Sequence, residues 1–401
     1  MLSDYQEKIH DYISKQAPIY QDLALDIHAH PEVSNYEFHS QQVLADQLDQ
    51  LGFKVVRDVA GHRTAFAAYY DSGQPGPTIA FLAEYDALPG IGHACGHNLF
   101  GNYSCLAGAA IKQVIDDLGG QVRVYGTPGE EGGENGSAKG SFVRHGFFAD
   151  VDFALCAHPG HKYQPTSAFL ANDPVDIEFF GKSSHAAAAP EKGISALDAM
   201  ILAFNGINSL RFSMPKDVNI HGVITDGGQA ANVVPDYTSA RFYLRAKNRA
   251  TLDQVYQKVE NVVAGAAQAT GTTYQFGLFQ NACDDMIKTP SFDQVFLNHI
   301  KALDIPDCDI EENPVDKGLG SSDVGNVSQV IPTIQPYISI SDDYIAGHSS
   351  EFKAAAKSDK GLASIALAAE LLARTALDLY TDDNLRQKIK TDYQTSRAKG
   401  N

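Results

Sequence analysis

From the N-terminus to about residue 50, apolar positions such as Ile27, Val43, Leu44 and Leu48 recur at three- and four-residue spacings, which predicts helix. Beyond them, short apolar runs alternate with longer amphipathic ones. Thr78–Ala83 reads as a strand, and a helix is expected from Asn98 to Leu118, stopped by Gly119-Gly120. Val122–Tyr125 and Val151–Cys156 read as further strands, with a helix near Ser137–Phe148 between them. Short apolar strands alternating with helices imply an α/β domain with a mostly parallel sheet covered on both faces.

The period changes after Asn172. Val175, Ile177 and Phe179 alternate with Asp176 and Glu178, the pattern of a strand with one wet face. A helix over Ile194–Phe212, strands at Val218–Ile224 and Thr238–Arg245, a helix over Thr251–Thr270 and a strand at Thr273–Phe279 follow. The order β-α-β-β-α-β is that of a ferredoxin-like unit. After Met286 the α/β character resumes: a helix, a loop at Gly318–Asp323, a strand near Thr333–Ile340 and a long helix from Ser358. The expected organisation is an α/β domain built from residues 1–172 and 287–401, interrupted by an inserted α+β domain at 173–286.

Composition narrows the function classes. A chain of 401 residues with 44% hydrophobic and 20% charged residues can bury the cores of two or three globular domains. Lys and Arg total 31 against 49 Asp and Glu, a formal charge of −18, which repels phosphate backbones and anionic lipid; neither nucleic acid nor membrane is an expected partner. No apolar run approaches the roughly 20 residues that span a bilayer. The start, Met1-Leu2-Ser3-Asp4-Tyr5-Gln6-Glu7, lacks a signal peptide's basic and apolar segments. Cys95, Cys105, Cys156, Cys283 and Cys308 are scattered without a Cys-x-x-Cys pair, as expected of free thiols in a reducing, cytoplasmic setting.

The chemistry gathers where strands end. The first strand runs into Glu84-Tyr85-Asp86-Ala87-Leu88-Pro89 and then Gly92-His93-Ala94-Cys95-Gly96-His97-Asn98. The second runs into Gly129-Glu130-Glu131-Gly132-Gly133, the third into Ala157-His158-Pro159. Ligands of open α/β sheets bind outside the carboxyl ends of the strands. Singly, each residue has a bland counterpart: a packed histidine, a solvated acidic loop, a small buried cysteine. Nucleotide loops are excluded. Cys95 stands where Gly90-Ile91-Gly92 would require its third glycine, and Gly129–Gly140 lacks the Gly-Lys-Ser/Thr of a phosphate loop.

Taken together, His93-Ala94-Cys95-Gly96-His97-Asn98, Glu130-Glu131, His158-Pro159 and Gly347-His348-Ser349-Ser350 resemble the metal-site motifs of the dinuclear aminoacylase/carboxypeptidase metallopeptidases. The similarity runs over nearly the whole chain. It lies with the amidohydrolase branch of indole-acetyl amino acid, hippurate and aminobenzoyl-glutamate hydrolases and β-alanyl-lysine dipeptidase-like members. Ile27-His28-Ala29-His30-Pro31-Glu32 resembles that branch too.

The resemblance implies that Cys95 bridges two divalent metals as a thiolate, with His97, Glu131, His158 and His348 completing the shell. Imidazole, carboxylate and thiolate suit zinc, with manganese or cobalt as alternatives. Two such ions can hold a hydroxide and clamp a carbonyl oxygen. Glu130 then becomes the general base, and Asp86, before the cis-prone or turn-forming Leu88-Pro89, orients a ligand. The peptidase branches carry His where this chain has Glu84, which favours the cysteine-containing ligand set.

By the same resemblance the insert is a lid and dimerisation domain, and the remainder a metal-binding catalytic domain. His185 in Gly181-Lys182-Ser183-Ser184-His185-Ala186 would polarise the substrate carbonyl or contact it from the partner subunit, while Asn232 and Arg245 would hold the substrate's carboxylate. Arg245 also reads as a plain strand-face charge and Asn232 as a turn residue before Pro235. The loop Gly318-Leu319-Gly320-Ser321-Ser322-Asp323 resembles the family's Gly-Ser-x-Asp segment and would shape the pocket. The expected activity is metal-dependent hydrolysis of an amide bond in a small N-acyl-amino acid or dipeptide, by a homodimer or higher homo-oligomer. The alternatives are a dipeptidase or carboxypeptidase acting on peptides, a thiol hydrolase built on Cys95, and a non-catalytic metal-binding scaffold.

Overall fold

In the computed structural model, which describes residues 2–303, 305, 308–312 and 320–399, two long helices come first. They are α1 (Leu2–Ala29) and α2 (Phe38–Gln50). A hairpin not anticipated from the sequence follows, β1 (Lys54–Val59) and β2 (His62–Asp71). Its first strand is largely exposed, so it offered no apolar run to read. Next come β3 (Thr78–Ala83), α3 (His97–Lys112), α4 (Ile115–Leu118), β4 (Gln121–Gly126), α5 (Ala138–Arg144), β5 (Phe153–Leu155) and β6 (His158–Gly160). The expected Asn98–Leu118 helix breaks at Gln113–Val114, and the one expected over Ser137–Phe148 is shorter.

The chain then builds β7 (Ala171–Phe180), α6 (Ala196–Leu210), β8 (Asn219–Asp226), β9 (Tyr237–Ala246), α7 (Arg249–Thr270) and β10 (Thr273–Leu278), in the order read from the sequence. It closes with α8 (Pro290–Ala302), α9 (Val324–Ser328), β11 (Thr333–Ile334), β12 (Tyr337–Ser339), α10 (Ser350–Ala355), α11 (Asp359–Thr381) and α12 (Asp383–Lys399). Gly318 and Leu319 lie outside the described residues. The strand expected at Thr333–Ile340 divides around Gln335-Pro336, since proline cannot donate to a ladder: β11 pairs with β5, and β12 with β6. Ser358, the expected start of the long helix, is its N-cap and accepts the Gly361 amide.

Contacts divide the chain into two compact units, Met1–Ala168 with Met286–Asn401, and Phe169–Asp285. The first holds a six-stranded sheet ordered β1-β2-β4-β3-β5-β11. From β4 through β3 and β5 to β11 every pairing is parallel; only the β1–β2 side is antiparallel. All six residues of β3 are buried, as befits a central strand covered on both faces. Helix α3 is buried on every side from His97 to Ile111, and it approaches the sheet closely. A Cβ at Gly101 would stand 2.7 Å from the Glu84 carbonyl oxygen, so only glycine lets this helix sit on the end of β3. The second unit has a four-stranded antiparallel sheet, β10-β7-β9-β8, with α6 and α7 packed through Ile177, Met200, Phe242 and Val259. Its edge strand β8 leaves Val223 and Ile224 exposed.

Candidate metal centre

The residues that follow β3, β4 and β5 converge at the carboxyl end of the parallel strands, because three strands running the same way must release their chains on the same side. Glu84 and Asp86 follow β3, Glu130 and Glu131 follow β4, and His158 follows β5. The Cys95 loop enters α3 through Gly96, whose φ of 78° is left-handed. A Cβ there would lie 2.6 Å from Pro159 Cγ and 3.2 Å from Phe352 Cε1, so this glycine lets the loop close on the His158 and His348 segments. His348 itself has φ 60°, and its amide donates to Ala94 O at 2.9 Å. A non-glycine residue held there is strained, and such strain collects where function needs a fixed side chain.

Two sets of donor atoms share the Cys95 sulfur. Cys95, His97 and His158 form one; Cys95, Glu131 and His348 form the other, and within each set the candidate donors lie within 4.8 Å of one another. Cys95 Sγ is 3.5 Å from His158 Nε2, and Glu131 Oε2 is 3.3 Å from His348 Nε2. The two inner histidines are aimed by bonds on their far nitrogens. His158 Nδ1 pairs with Pro159 O at 2.7 Å and His97 Nδ1 with Asp86 Oδ1 at 2.9 Å, which leaves each Nε2 lone pair facing the centre. The other Asp86 oxygen accepts the Glu131 amide at 2.9 Å, so one buried carboxylate orients His97 and the Glu131 turn together. Leu88-Pro89 is turn-forming: Leu88 and Gly92 exchange backbone hydrogen bonds, and there is no cis peptide among the described residues.

The donors fit a pair of divalent cations. His97 Nε2 and Glu131 Oε1 are buried without a hydrogen-bond partner, an arrangement that costs free energy unless a cation takes their lone pairs. Burial, and then His97, lower His158 to about 3, so its imidazole is neutral and able to donate to a metal. Burial, and then the Glu131 charge, push the Cys95 thiol well above its ordinary value, so a thiolate there requires a compensating cation.

Glu130 Oε2 lies 4.0 Å from His97 Nε2 and belongs to neither Cys95 set. Burial, followed by repulsion from Glu84 and Glu131, raises this carboxyl well above the usual range. His93, from the same motif, does not face the centre; its Nε2 pairs with Ile27 O at 3.1 Å and ties the loop to α1. A cavity of about 270 Å³ opens on Cys95, His158 and His348, walled by Tyr337, Tyr344 and His161.

Two residues of this neighbourhood were not legible in the sequence. Lys139, fully buried, places Nζ 2.6 Å from Asp323 Oδ1 and 2.7 Å from Glu84 Oε1, while the second Glu84 oxygen is 3.2 Å from His97 Nε2. Asp323 also accepts the Lys139 amide at 3.0 Å, so this side chain of the Gly-Ser-x-Asp loop is bound to a buried cation and does not line the cavity. Glu37 Oε1 accepts the Gly129 amide at 2.9 Å, at the start of the Glu130 turn. A lone lysine in a run of small residues and a glutamate at a helix start carry no pattern to single them out.

In the second unit, His185 and Asn232 are neighbours: His185 bridges to Val233, and the Ala186 amide donates to Asn232 O at 3.1 Å. Both side chains are exposed. Arg245 is half-buried near the far end of β9, its guanidinium 5.6 Å from the Tyr243 ring centre, so it is not grouped with the other two in this unit.

Comparison with known proteins gives three kinds of likeness. A family described as a peptidase dimerisation domain matches residues 174–270. Human Xaa-Arg dipeptidase is 31% identical over 388 residues, spanning 93% of this chain and 88% of its own length. One of the p-aminobenzoyl-glutamate hydrolase polypeptides of Escherichia coli K12 is 35% identical over 325 residues, covering 76% of this chain and 66% of its own. Among solved structures, an aminobenzoyl-glutamate utilization protein from Klebsiella pneumoniae superposes with TM-score 0.72 at 22% identity, over 92% of this chain and 97% of that one. The Bacillus subtilis YXEP protein, described as a dinuclear metal binding peptidase of the M20 family, superposes with TM-score 0.58 at 18% identity, over 92% and 99%.

Proposed function

Because the chain belongs to the M20 metallopeptidase family, in its amidohydrolase branch, we propose that it hydrolyses the amide bond of a dipeptide or N-acyl-amino acid at a centre of two divalent cations sharing Cys95. The chain is a hydrolase by its relatives. The finer reading rests on one observation: the Cys95 sulfur belongs to two separate donor sets, one completed by His97 and His158 and the other by Glu131 and His348. Zinc is the proposed metal, with manganese or cobalt as substitutes.

Two cations held there would supply Lewis-acid activation of water and of the scissile carbonyl. The protein's own residues do the rest. Asp86 keeps His97 in one orientation and anchors the Glu131 turn. Glu130, near the centre but outside both Cys95 sets, takes the proton of the attacking water and delivers it to the leaving amine; its raised proton affinity suits that exchange. The cavity's modest size supports a small substrate. The relatives' names, a dipeptidase for arginine-ending dipeptides and a hydrolase of an acylated glutamate, frame the candidates. His185, Asn232 and Arg245 are the proposed holders of the substrate's carbonyl and carboxylate. Homodimerisation is assigned to the second unit, supported by the match to a dimerisation domain and by the open β8 edge with Val223 and Ile224 exposed. A cytoplasmic location is proposed from the free cysteines.

The Cys95 thiol-hydrolase alternative is disfavoured, since burial and Glu131 raise this thiol where a metal-free nucleophile needs it lowered. The test is hydrolysis of a panel of acetyl-, benzoyl- and aminobenzoyl-amino acids, Xaa-Arg dipeptides and β-alanyl dipeptides, before and after chelation. Activity lost to chelator and restored by zinc, manganese or cobalt is expected. A metal-free protein that still hydrolyses the panel at full rate would overturn the proposal.

A further inference from the structure

Away from the dinuclear centre, three metal-competent side chains meet on the surface of the first unit. Asp26 lies near the C-terminal end of α1, His30 directly after that helix, and His39 in the first turn of α2. His39 Nε2 is 2.6 Å from Asp26 Oδ2, His30 Nδ1 is 3.1 Å from Asp26 Oδ1, and the two rings are 4.9 Å apart. The donor atoms of all three lie within 4.8 Å of one another. No residue of the Cys95 sets takes part.

We propose that Asp26, His30 and His39 form a separate surface site for one divalent transition metal of the zinc class. Two imidazoles and a carboxylate make a three-ligand set that leaves one tetrahedral position for water. The two nitrogens facing Asp26 now make hydrogen-bond contacts with its oxygens, His30 Nδ1 with the Asp26 backbone carbonyl too at 2.9 Å, and a bound cation takes the place of these contacts. The side chains are 60%, 38% and 38% exposed for His30, His39 and Asp26, so the open position faces solvent and a cation enters by parting the 2.6 Å contact between His39 and Asp26. Asp26 and His30 are four residues apart, which brings them over the same last turn of the helix. The partial negative charge of the α1 C-terminus lies directly beneath them and favours a cation. Glu32, the nearest other carboxylate in sequence, is otherwise committed: its oxygens accept the amides of His39 and Ser40.

The placement gives the site a mechanical consequence. Bridging His30 to His39 closes the intervening loop, and that loop supports the strand ends above it. The Glu32 carbonyl accepts the Ala87 amide at 2.8 Å, beside Asp86, and Glu37 holds the Gly129 amide. A cation here clips the ends of α1 and α2 and stiffens both supports.

The test compares the full-length protein with His30→Asn/His39→Asn. Metal-free samples are titrated with zinc chloride, and bound metal is counted after gel filtration. The wild type is expected to bind one equivalent more than the double variant, and the variant's affinity for that equivalent falls by more than about 100-fold. Cobalt in this site gives d–d bands without the thiolate charge-transfer absorption of a cysteine-bound ion, which separates it from the Cys95 centre. The extra equivalent raises the thermal midpoint of the wild type alone. Asp26→Asn gives the same comparison should the double variant fail to fold. Equal zinc stoichiometry in the wild type and a folded variant overturns the proposal, as does an extra equivalent that carries the thiolate band.

Discussion

The Cys95 sulfur lies 3.5 Å from Nε2 of His158, although 63 positions of chain separate the two residues. One follows β3 through a long loop, the other leaves β5 directly, and parallel pairing of the two strands brings their carboxyl ends side by side. Cys95 is also the one residue common to the two donor sets that contain His158 or His348. Replacing it with alanine is therefore expected to weaken both cations together. Metal analysis after dialysis should show both equivalents bound at least about 100-fold more weakly, with hydrolysis lost in parallel. Loss of a single equivalent with the other unchanged would show that the sulfur is not shared.

Glu130→Gln is expected to keep both metal equivalents and lower kcat by about 10²–10⁴-fold, because the amide matches the carboxylate's shape but cannot accept the proton. The check is kcat at matched metal content. A folded, fully loaded variant turning over at the wild-type rate removes Glu130 from the general-base role.

Lys139→Met leaves the Glu84 and Asp323 carboxylates buried without their cation. Breaking such a buried cluster costs about 3–5 kcal/mol, and denaturant unfolding of the metal-free protein measures it. Adding Asp323→Asn to the lysine variant removes one stranded charge and should recover part of the loss.

His62 predicts an acid-sensitive step. Its Nδ1 is 2.7 Å from Asn35 Oδ1 and its Nε2 2.9 Å from Ser141 Oγ, and burial lowers it from 6.5 to about 4. The unfolded chain thus takes up this proton first as the pH drops. The stability His62 confers is complete above pH 6.5 and is lost as the pH falls towards about 4. Urea unfolding between these limits should show a shallower decline for His62→Gln than for the wild type. Parallel declines would place the acid sensitivity elsewhere, for example at the buried His93.

Val223→Lys puts a charge on the β8 edge at a position that is itself exposed. Analytical ultracentrifugation is expected to find the variant monomeric at concentrations where the proposed wild-type dimer forms. An unchanged dimer would move the interface off this edge.

The chain's local periods determined much of the architecture. Thr78–Ala83 is a strand to the residue, since a wholly apolar run of that length between turns has few other solutions. The six-element order of the insert followed from alternation in β7 and helical spacing in α6 and α7. The exposed β1 strand, the division of α3 from α4 and the parting of β11 from β12 at Pro336 did not follow, since β1 carries no apolar run and the two partners that separate β11 from β12 are set by the fold. The same holds for the chemistry. Motifs nominated Cys95, His97, Glu130, Glu131, His158 and His348, whose residue types are unusual where they stand. Only the tertiary structure divided the five ligand candidates into two sets around one sulfur with Glu130 outside both, turned the buried His93 away from the centre, and enclosed Lys139 between Glu84 and Asp323. Residue type is a property of one position, whereas a buried charge or a shared donor is a relation among segments far apart in the chain, and folding alone brings those segments into contact.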